Sequence, residues 1–291
     1  MEIIVARNSG FCYGVKRALQ LARKTGKKPG QRIFSWGEII HNPGVIADLR
    51  RDGIQVATSI RQLQPGDTVI IRSHGVSPAI YRALKRKKVK LVDATCPIVK
   101  KIQQTVERLS HRKGEIIIVG NKNHPEIQGL LGYSRRRALV VENEDQVRCL
   151  PFRKRRAVLA QSTQDGQVFS QVVGALAERT QELQVFNTIC QSTRIRQVAT
   201  AELARQVDAL LIIGGRNSSN TSKLYQISRR LLPSTYLIES PEEITPEMFQ
   251  GVHKIGLSGG ASTPPELIKK TVAAISHSYK QNPNQEKVTH D

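Results

Sequence analysis

The chain has 291 residues, of which 39% are hydrophobic, so it is long enough to form two or three compact units. No run approaches the ~20 consecutive apolar residues of a membrane-spanning helix. The amino-terminal stretch also lacks the basic and apolar regions of a secretion signal. We therefore expect a cytoplasmic protein without a membrane partner.

The formal charge of +21 predicts attraction to polyanions. Only one Trp, six Tyr and six Phe are available to stack on bases, however, so we do not expect nucleic acid to be a partner. Part of the charge lies in basic runs that fall in expected loops or helix ends, a pattern typical of solvated surface. These runs are Lys85-Arg86-Lys87-Lys88, Arg135-Arg136-Arg137 and Arg153-Lys154-Arg155-Arg156.

Apolar, β-branched runs recur along the chain, and each is followed by a polar or Gly-rich turn and then a stretch with helical periodicity. This alternation predicts an α/β fold. The clearest strands are predicted at 68–71, 115–119, 209–213 and 254–257. In open α/β sheets the loops at the carboxyl ends of the strands form the ligand site, so the chemistry is expected in the loops that follow these strands.

Four cysteines lie far apart in the sequence, at Cys12, Cys96, Cys149 and Cys190. Their spacing fits neither a disulfide-rich secreted domain nor a CxxC zinc finger, and isolated intracellular cysteines are commonly small buried residues. Cys149 has neither a polar loop nor a helix start beside it. We expect Cys149 to be structural.

The other three cysteines precede expected helices. Cys96 is followed by Pro97, which is favoured in a first helical turn, and after Cys190 the expected N-cap is Ser192 or Thr193. A helix N-terminus lowers the pKa of a thiol and so favours the thiolate that ligates metal. The expected apolar stripes are Val15, Ala18, Leu19 and Ala22 after the first cysteine, and Ile195, Val198, Ala199 and Leu203 after the third.

These three cysteines are separated by 84 and 94 residues, which predicts three similar α/β units that each deliver one thiol to a shared centre. We predict the units at 13–96, 97–189 and 190–280, with the segment 1–12 joined to the third unit. The polar segment 281–291 predicts a disordered tail.

Several predicted loops carry imidazole or hydroxyl side chains, at 37–42, 73–75, 123–126 and 218–220, with Ser262 after the last strand. Histidines, hydroxyls, an amide and helix N-terminal N–H groups together suit a phosphate or a diphosphate. Each of these residues alone could equally cap a helix or lie in a core. A Gly-rich Walker loop is absent from the sequence, so we do not expect hydrolysis of a nucleoside triphosphate.

The loops and cysteines also carry long motifs in a fixed order from about residue 3 to about residue 275. These are Gly10-Phe11-Cys12-Tyr13-Gly14-Val15, Gly37-Glu38-Ile39-Ile40-His41-Asn42, His74-Gly75-Val76, Asp93-Ala94-Thr95-Cys96-Pro97, Gly120 through Glu126, Asn217-Ser218-Ser219-Asn220 and Gly260-Ala261-Ser262-Thr263-Pro264. The sequence resembles the 4-hydroxy-3-methylbut-2-enyl diphosphate reductases, the IspH or LytB family.

The resemblance implies the last step of the methylerythritol phosphate route to isoprenoids, in which an allylic hydroxyl is removed with two electrons and protons to give isopentenyl and dimethylallyl diphosphates. It implies a trefoil of three α/β units around a central cavity that holds one 4Fe-4S cluster. It also implies ferredoxin or flavodoxin as the electron donor.

The resemblance further implies that Cys12, Cys96 and Cys190 ligate the cluster. For substrate binding it implies His41, His74, His124, Ser162, Thr163, Ser218, Ser219, Asn220 and Ser262. For catalysis it implies Glu126, His124 and Thr163. The chain departs from the family in having Ser162 where a threonine is usual.

Two other interpretations use the same residues. A basic α/β protein that binds nucleic acid and has structural cysteines would account for the charge, and its binding would depend on salt. A zinc enzyme could use the same three thiols. Metal analysis after anaerobic purification separates the three interpretations. Iron with labile sulfide supports the reductase, zinc supports the zinc enzyme, and no metal supports the nucleic-acid-binding protein.

Overall fold

The computed structural model describes residues 1–26, 30–135 and 137–280, and over these residues strands and helices alternate. The strands are β1 (Glu2–Val5), β2 (Ile33–Trp36), β3 (Ile54–Ala57), β4 (Thr68–Ile71), β5 (Lys90–Asp93), β6 (Glu115–Val119), β7 (Ala138–Val141), β8 (Arg153–Ala160), β9 (Thr180–Phe186), β10 (Ala209–Ile213), β11 (Thr235–Ile238) and β12 (Lys254–Gly259). The helices are α1 (Tyr13–Gly26), α2 (Pro43–Arg51), α3 (Pro78–Arg86), α4 (Pro97–Ser110), α5 (Pro125–Tyr133), α6 (Glu144–Arg148), α7 (Gly166–Ala177), α8 (Gln191–Ala204), α9 (Ser219–Leu231) and α10 (Pro265–Lys280).

The chain divides into two compact units. The first unit comprises Met1–Cys12 with Ser192–Asp291, and the second comprises Tyr13–Gln191. The first unit contains one parallel sheet in the order β11-β10-β12-β1, and the second contains two parallel sheets in the orders β3-β2-β4-β5 and β7-β6-β8-β9. The predicted α/β class is confirmed.

The three sheets have the same strand order. If the strands of the first unit's sheet are counted as β10, β11, β12 and then β1, in each sheet the first strand lies inside, the second at one edge, the third beside the first, and the fourth at the other edge. The amino-terminal strand β1 is the fourth strand of the sheet that contains β10, β11 and β12. This shared topology agrees with the internal repeat that the cysteine spacing predicts. The boundaries 13–96, 97–189 and 190–280 stay a prediction.

The strands with the strongest apolar runs lie where the sequence predicts them. The strands β4, β6 and β10 have the predicted bounds, and β12 extends two residues further, to Gly259. Every residue of β4 and β10 is buried. A parallel strand covered on both faces is a continuous apolar run, and this explains why sequence alone locates these strands.

A glycine follows the first strand of each sheet and binds the end of the second strand. The N–H groups of Gly37, Gly120 and Gly214 donate to the carbonyl oxygens of Ala57, Val141 and Ile238, at 2.8, 2.9 and 2.9 Å. Three of the site loops therefore leave their sheets at equivalent points.

The helices that follow the three cysteines are also equivalent, since α1, α4 and α8 each contain 14 residues. The predicted apolar stripe of α1 is confirmed, because Val15, Ala18, Leu19 and Ala22 are all buried. Pro97 is the first residue of α4, as predicted.

The predictions for α8 were wrong in two respects. The helix begins at Gln191, so neither Ser192 nor Thr193 is its N-cap. Ile195 and Val198 of the predicted apolar stripe are 43% and 57% exposed. The buried face is largely polar instead and consists of Thr193, Arg196, Gln197, Thr200, Leu203 and Ala204.

Hydrogen bonds explain why α8 can bury polar residues. The Arg196 guanidinium donates to the Gly10 carbonyl oxygen at 2.6 Å, and the hydroxyls of Thr200 and Ser258 lie 2.7 Å apart. Buried polar groups are tolerated when they are paired in this way, so apolar periodicity alone misplaces the inner face of this helix.

One of the three basic runs is not a loop or a helix end, because Arg153–Arg156 begins β8. Its last member, Arg156, has a wholly buried side chain that is paired with Glu115 at 2.7 Å. The predicted disordered tail at 281–291 lies outside the described residues. Across the described part of the chain, every helix is too short or too polar to cross a membrane.

Candidate functional site

The three helix-leading cysteines occupy equivalent places at the carboxyl ends of the sheets. The N–H groups of Cys96 and Cys190 donate to the carbonyl oxygens of Ser73 and Ser162, each at 2.9 Å. In the first unit the Cys12 N–H donates to the Ala261 carbonyl oxygen at 3.1 Å. Each acceptor is the second residue after the third strand of its sheet.

All four cysteines lie among the described residues and are reduced thiols. Cys12, Cys96 and Cys190 are partly buried and stand directly before a helix. Cys149 is exposed and caps the carboxyl end of α6. Cys149 therefore has no counterpart in the repeated cysteine position.

In the second unit three histidines from separate loops meet. The rings of His41 and His74 are stacked with centroids 4.4 Å apart, and His124 meets both rings edge-on, at 5.4 and 5.2 Å. One ring nitrogen of each histidine lies within 4.8 Å of the others. We call these three residues the histidine cluster.

The histidine cluster is built to be neutral. Burial lowers the pKa of His41 and lowers that of His74 well below its ordinary value, and it lowers the pKa of His124 to about 3. His124 caps α5 and its Nδ1 accepts the Glu126 N–H at 3.1 Å. A neutral ring whose Nδ1 accepts must carry its proton on Nε2, which leaves His124 Nε2–H as a donor.

Three neutral imidazoles could hold a divalent metal, but a permanent cation lies beside them. The positive charge of Arg72 lowers the pKa of all three histidines, while Glu38 contacts His41 Nδ1 at 3.3 Å. A guanidinium disfavours a second cation and favours an anion. The histidine cluster therefore suits a phosphate group better than a metal ion.

A buried acid lies next to this cluster. The side chain of Glu126, which is 2% exposed, accepts the Ser162 N–H through Oε1 at 2.7 Å, and its Oε2 lies 2.6 Å from the Ser162 hydroxyl. Burial raises the pKa of Glu126, although both Ser162 hydrogen bonds oppose that rise. A raised pKa brings a carboxyl closer to the range in which a general acid works.

The first unit brings together hydroxyls and an amide. The hydroxyls of Ser262 and Ser218 lie 3.5 Å apart, and Ser218 caps α9 by accepting the Thr221 N–H. Ser219 and Asn220 are the first two residues of that helix. The Asn220 side chain is buried, and neither of its amide atoms has a partner in the described structure. Leaving such atoms unpaired costs about 1 to 3 kcal/mol each, so Asn220 is suited to a bound ligand.

The predicted site residues occupy repeated positions. His41, His124 and Ser218 are each the fourth residue after the glycine that follows the first strand of a sheet. His74, Thr163 and Ser262 are each the third residue after the third strand. This correspondence shows that the candidate residues belong to one repeated loop plan.

Within the second unit, the structure brings the three predicted histidines together and pairs Glu126 with Ser162. Thr163 lies elsewhere in the same loop and accepts a hydrogen bond from Gln161 Nε2 at 3.0 Å. Sequence reasoning missed Arg72, whose only signal was its place immediately after β4 and two residues before His74.

The chain matches the family model described as LytB protein over residues 3–276. It is similar to the 4-hydroxy-3-methylbut-2-enyl diphosphate reductase of Aquifex aeolicus, with 42% identity over 278 residues that cover 94% of this chain and 96% of the relative. The enzyme of the same name from Geobacter metallireducens is 42% identical over 275 residues, covering 94% and 97%.

Two solved structures are also similar. One is that of (E)-4-hydroxy-3-methyl-but-2-enyl diphosphate reductase, the terminal enzyme of the non-mevalonate pathway, with a TM-score of 0.68 and 41% identity over 95% of this chain and 100% of the other. The other is the E-1-hydroxy-2-methyl-but-2-enyl-4-diphosphate reductase of Plasmodium falciparum, with a TM-score of 0.89 and 28% identity over 94% and 88%. Because the family model matches residues 3–276 and relatives with 42% identity cover 94% of the chain, the chain belongs to the LytB protein family.

Proposed function

We propose that this chain reduces (E)-4-hydroxy-3-methylbut-2-enyl diphosphate to isopentenyl diphosphate and dimethylallyl diphosphate. The allylic C–O bond breaks, two electrons and two protons are consumed, and the hydroxyl leaves as water. One observation carries the proposal. Glu126, a buried acid whose pKa is raised by burial, donates its backbone N–H to His124 of a histidine cluster that suits an anion. Membership of the LytB family supports the same reaction.

Cys12, Cys96 and Cys190 would hold the 4Fe-4S cluster. The residues present fit such a group, because three partly buried thiols stand at equivalent helix starts and thiolate is the usual ligand of an iron-sulfur cluster. When bound, the cluster would pass on the two electrons that an external donor supplies and would act as a Lewis acid.

The histidine cluster would bind the diphosphate of the substrate. Neutral imidazoles donate hydrogen bonds to phosphate oxygens and gain charge if the anion raises their pKa. Ser218, Ser219, Asn220 and Ser262 stay predicted ligands of the same substrate, and the two unpartnered amide atoms of Asn220 support that assignment.

Glu126 would deliver the proton that the leaving hydroxyl needs. Hydroxide is a poor leaving group, so a positioned acid contributes about 100- to 10,000-fold in rate. The 2.6 Å contact between Glu126 Oε2 and the Ser162 hydroxyl allows the proton to pass through Ser162. Thr163 stays a predicted substrate contact and catalytic residue in the same loop.

The electron donor would be a ferredoxin or a flavodoxin, as the family resemblance implies. Both are typically acidic, and the charge of +21 on this chain is complementary to such a partner. Charge complementarity of this kind accelerates encounter, so the rate of electron delivery should fall as salt is added.

The proposal is tested by purifying the full chain without oxygen and supplying the allylic diphosphate with a chemical one-electron reductant. We expect brown protein that contains iron and labile sulfide and that forms both five-carbon diphosphates. Protein that contains zinc, or a colourless protein that binds RNA in a salt-dependent way and does not turn over, would contradict the proposal.

A further inference from the structure

Arg72 follows β4 directly, its charge acts on the histidine cluster, and no motif identified it. Its side chain lies against Gly37, where an added β-carbon would lie 3.2 Å from Arg72 Cζ and 3.4 Å from Cδ. Gly37 has a φ of +68°, a conformation that glycine adopts readily. The loop before the histidine cluster therefore leaves room for a guanidinium.

The repeated loop plan shows that this charge is specific to one sheet. The residues in the equivalent place after β8 and β12 are Gln161 and Gly260. Gln161 lies against Gly120 in the way that Arg72 lies against Gly37, since a β-carbon on Gly120 would lie 2.7 Å from Gln161 Oε1. Only the sheet that contributes His41 and His74 places a cation at this position.

The surroundings of Arg72 leave its charge available. Its Nε is buried without a hydrogen-bond partner in the described structure, and burial lowers the pKa of its guanidinium. Glu38 attracts Arg72, but the Glu38 side chain is 41% exposed, so water screens its charge. A partly desolvated cation with an unused N–H is ready to meet an anion.

We propose that Arg72 supplies the permanent positive charge that draws the substrate diphosphate onto the histidine cluster. The inference rests on the proposed function and goes beyond it by assigning a charge to a position that the family motifs leave open. Neutral histidines donate hydrogen bonds but attract an approaching dianion weakly. Arg72 provides the attraction and the histidines then provide the hydrogen bonds.

The test measures the binding of inorganic diphosphate to anaerobically purified holoprotein at several salt concentrations. For Arg72→Gln we expect affinity about 10- to 100-fold lower and a shallower dependence on salt, since one charge-assisted contact is lost. Arg72→Lys should keep most of the affinity and the wild-type salt dependence. Arg82→Gln, which removes an exposed arginine from α3, is the matched control and should bind like wild type.

The outcomes separate this inference from the function on which it rests. If wild type turns over while Arg72→Gln binds diphosphate with wild-type affinity and salt dependence, the role of Arg72 is overturned and the function stands. If Arg72→Gln and Arg72→Lys lose affinity equally, the residue acts by packing and the charge assignment is overturned. If wild type neither binds diphosphate nor turns over, the proposed function itself is overturned.

Discussion

Glu126 and Ser162 are joined by two short contacts, 2.7 Å from the Ser162 N–H to Oε1 and 2.6 Å between the Ser162 hydroxyl and Oε2. Glu126 is the second residue of α5, the helix after β6, and Ser162 lies in the loop after the neighbouring strand β8. The carboxyl is thereby oriented while burial keeps its pKa raised. These two features support the proposed role of Glu126 as a proton donor.

Replacing Glu126 by glutamine keeps the size of the side chain and removes its transferable proton. We expect turnover to fall by at least about 100-fold with iron content unchanged. Steady-state turnover and iron analysis measure the two effects. Glu107→Gln, on the exposed face of α4, is the control and should keep full activity. Near wild-type turnover with only a lower melting temperature would make Glu126 structural.

Ser162 should tolerate threonine but not alanine. Ser162→Ala removes the hydroxyl that contacts the buried Glu126 carboxyl, which should cost about 1 to 3 kcal/mol of stability and interrupt the proton route. Ser162→Thr retains the hydroxyl and should keep the contact. Turnover and thermal unfolding of both variants provide the measurement, and equal turnover in the two would exclude a relay through this hydroxyl.

The cysteine variants should divide into two groups. Cys12→Ser, Cys96→Ser and Cys190→Ser should each lose the brown colour and the iron, because each thiol occupies the repeated helix-start position. Cys149→Ser should keep both, because Cys149 is an exposed helix cap outside that repeat. Measurements of iron content, sulfide content and visible absorption in each purified variant test this prediction. A colourless Cys149→Ser protein beside a brown Cys190→Ser protein would overturn the ligand assignment.

Acid should destabilise the ligand-free protein through the histidine cluster. A histidine titrates near pH 6.5 in the unfolded chain, whereas burial lowers the folded pKa of His74 well below that value and that of His124 to about 3. The unfolded state therefore binds more protons as the pH falls below about 6.5, and stability decreases toward the folded pKa values. Added diphosphate favours the protonated rings, so its stabilising effect should be larger at about pH 6 than at about pH 8.

Thermal unfolding of holoprotein across this pH range tests the prediction. His124→Asn retains an N-cap side chain but cannot titrate, so its melting temperature should depend less on pH. His253→Gln, which replaces an exposed histidine, should behave like wild type. A melting temperature that rises as the pH falls from 7 to 5 would contradict the neutral state of the cluster.

The sequence alone was sufficient to locate the strands that are buried along their length. The strands β4, β6 and β10 were predicted to the residue because they are buried apolar runs, and the repeated cysteine spacing anticipated three sheets of one topology. The inner face of α8 was missed because hydrogen bonds allow it to be polar. His41 and His124 are 83 residues apart in the sequence, yet their rings meet in the structure. No local sequence pattern predicts this contact, because it depends on how separate loops are placed by the fold.

Two adjacent arginines in the basic run at the start of β8 have opposite surroundings. The buried Arg156 donates to Glu115 Oε2 at 2.7 Å and to the carbonyl oxygens of Arg179 and Pro151 at 2.8 and 2.7 Å. Arg155 forms its ion pair with Glu182 where both side chains are about half exposed, at 52% and 49%.

Arg156→Met leaves a carboxylate and two carbonyl oxygens without their donor, so we expect a loss of about 3 to 5 kcal/mol in the free energy of unfolding. Arg155→Met removes a solvent-screened pair and should cost less than about 1 kcal/mol. Both residues lie in the amino-terminal half of β8, away from Ser162, so the turnover of correctly folded protein should be unchanged in each variant. Denaturant unfolding of the two variants gives the comparison. Equal losses of stability in the two variants would contradict the prediction that the buried Arg156 contributes more to stability than the exposed Arg155.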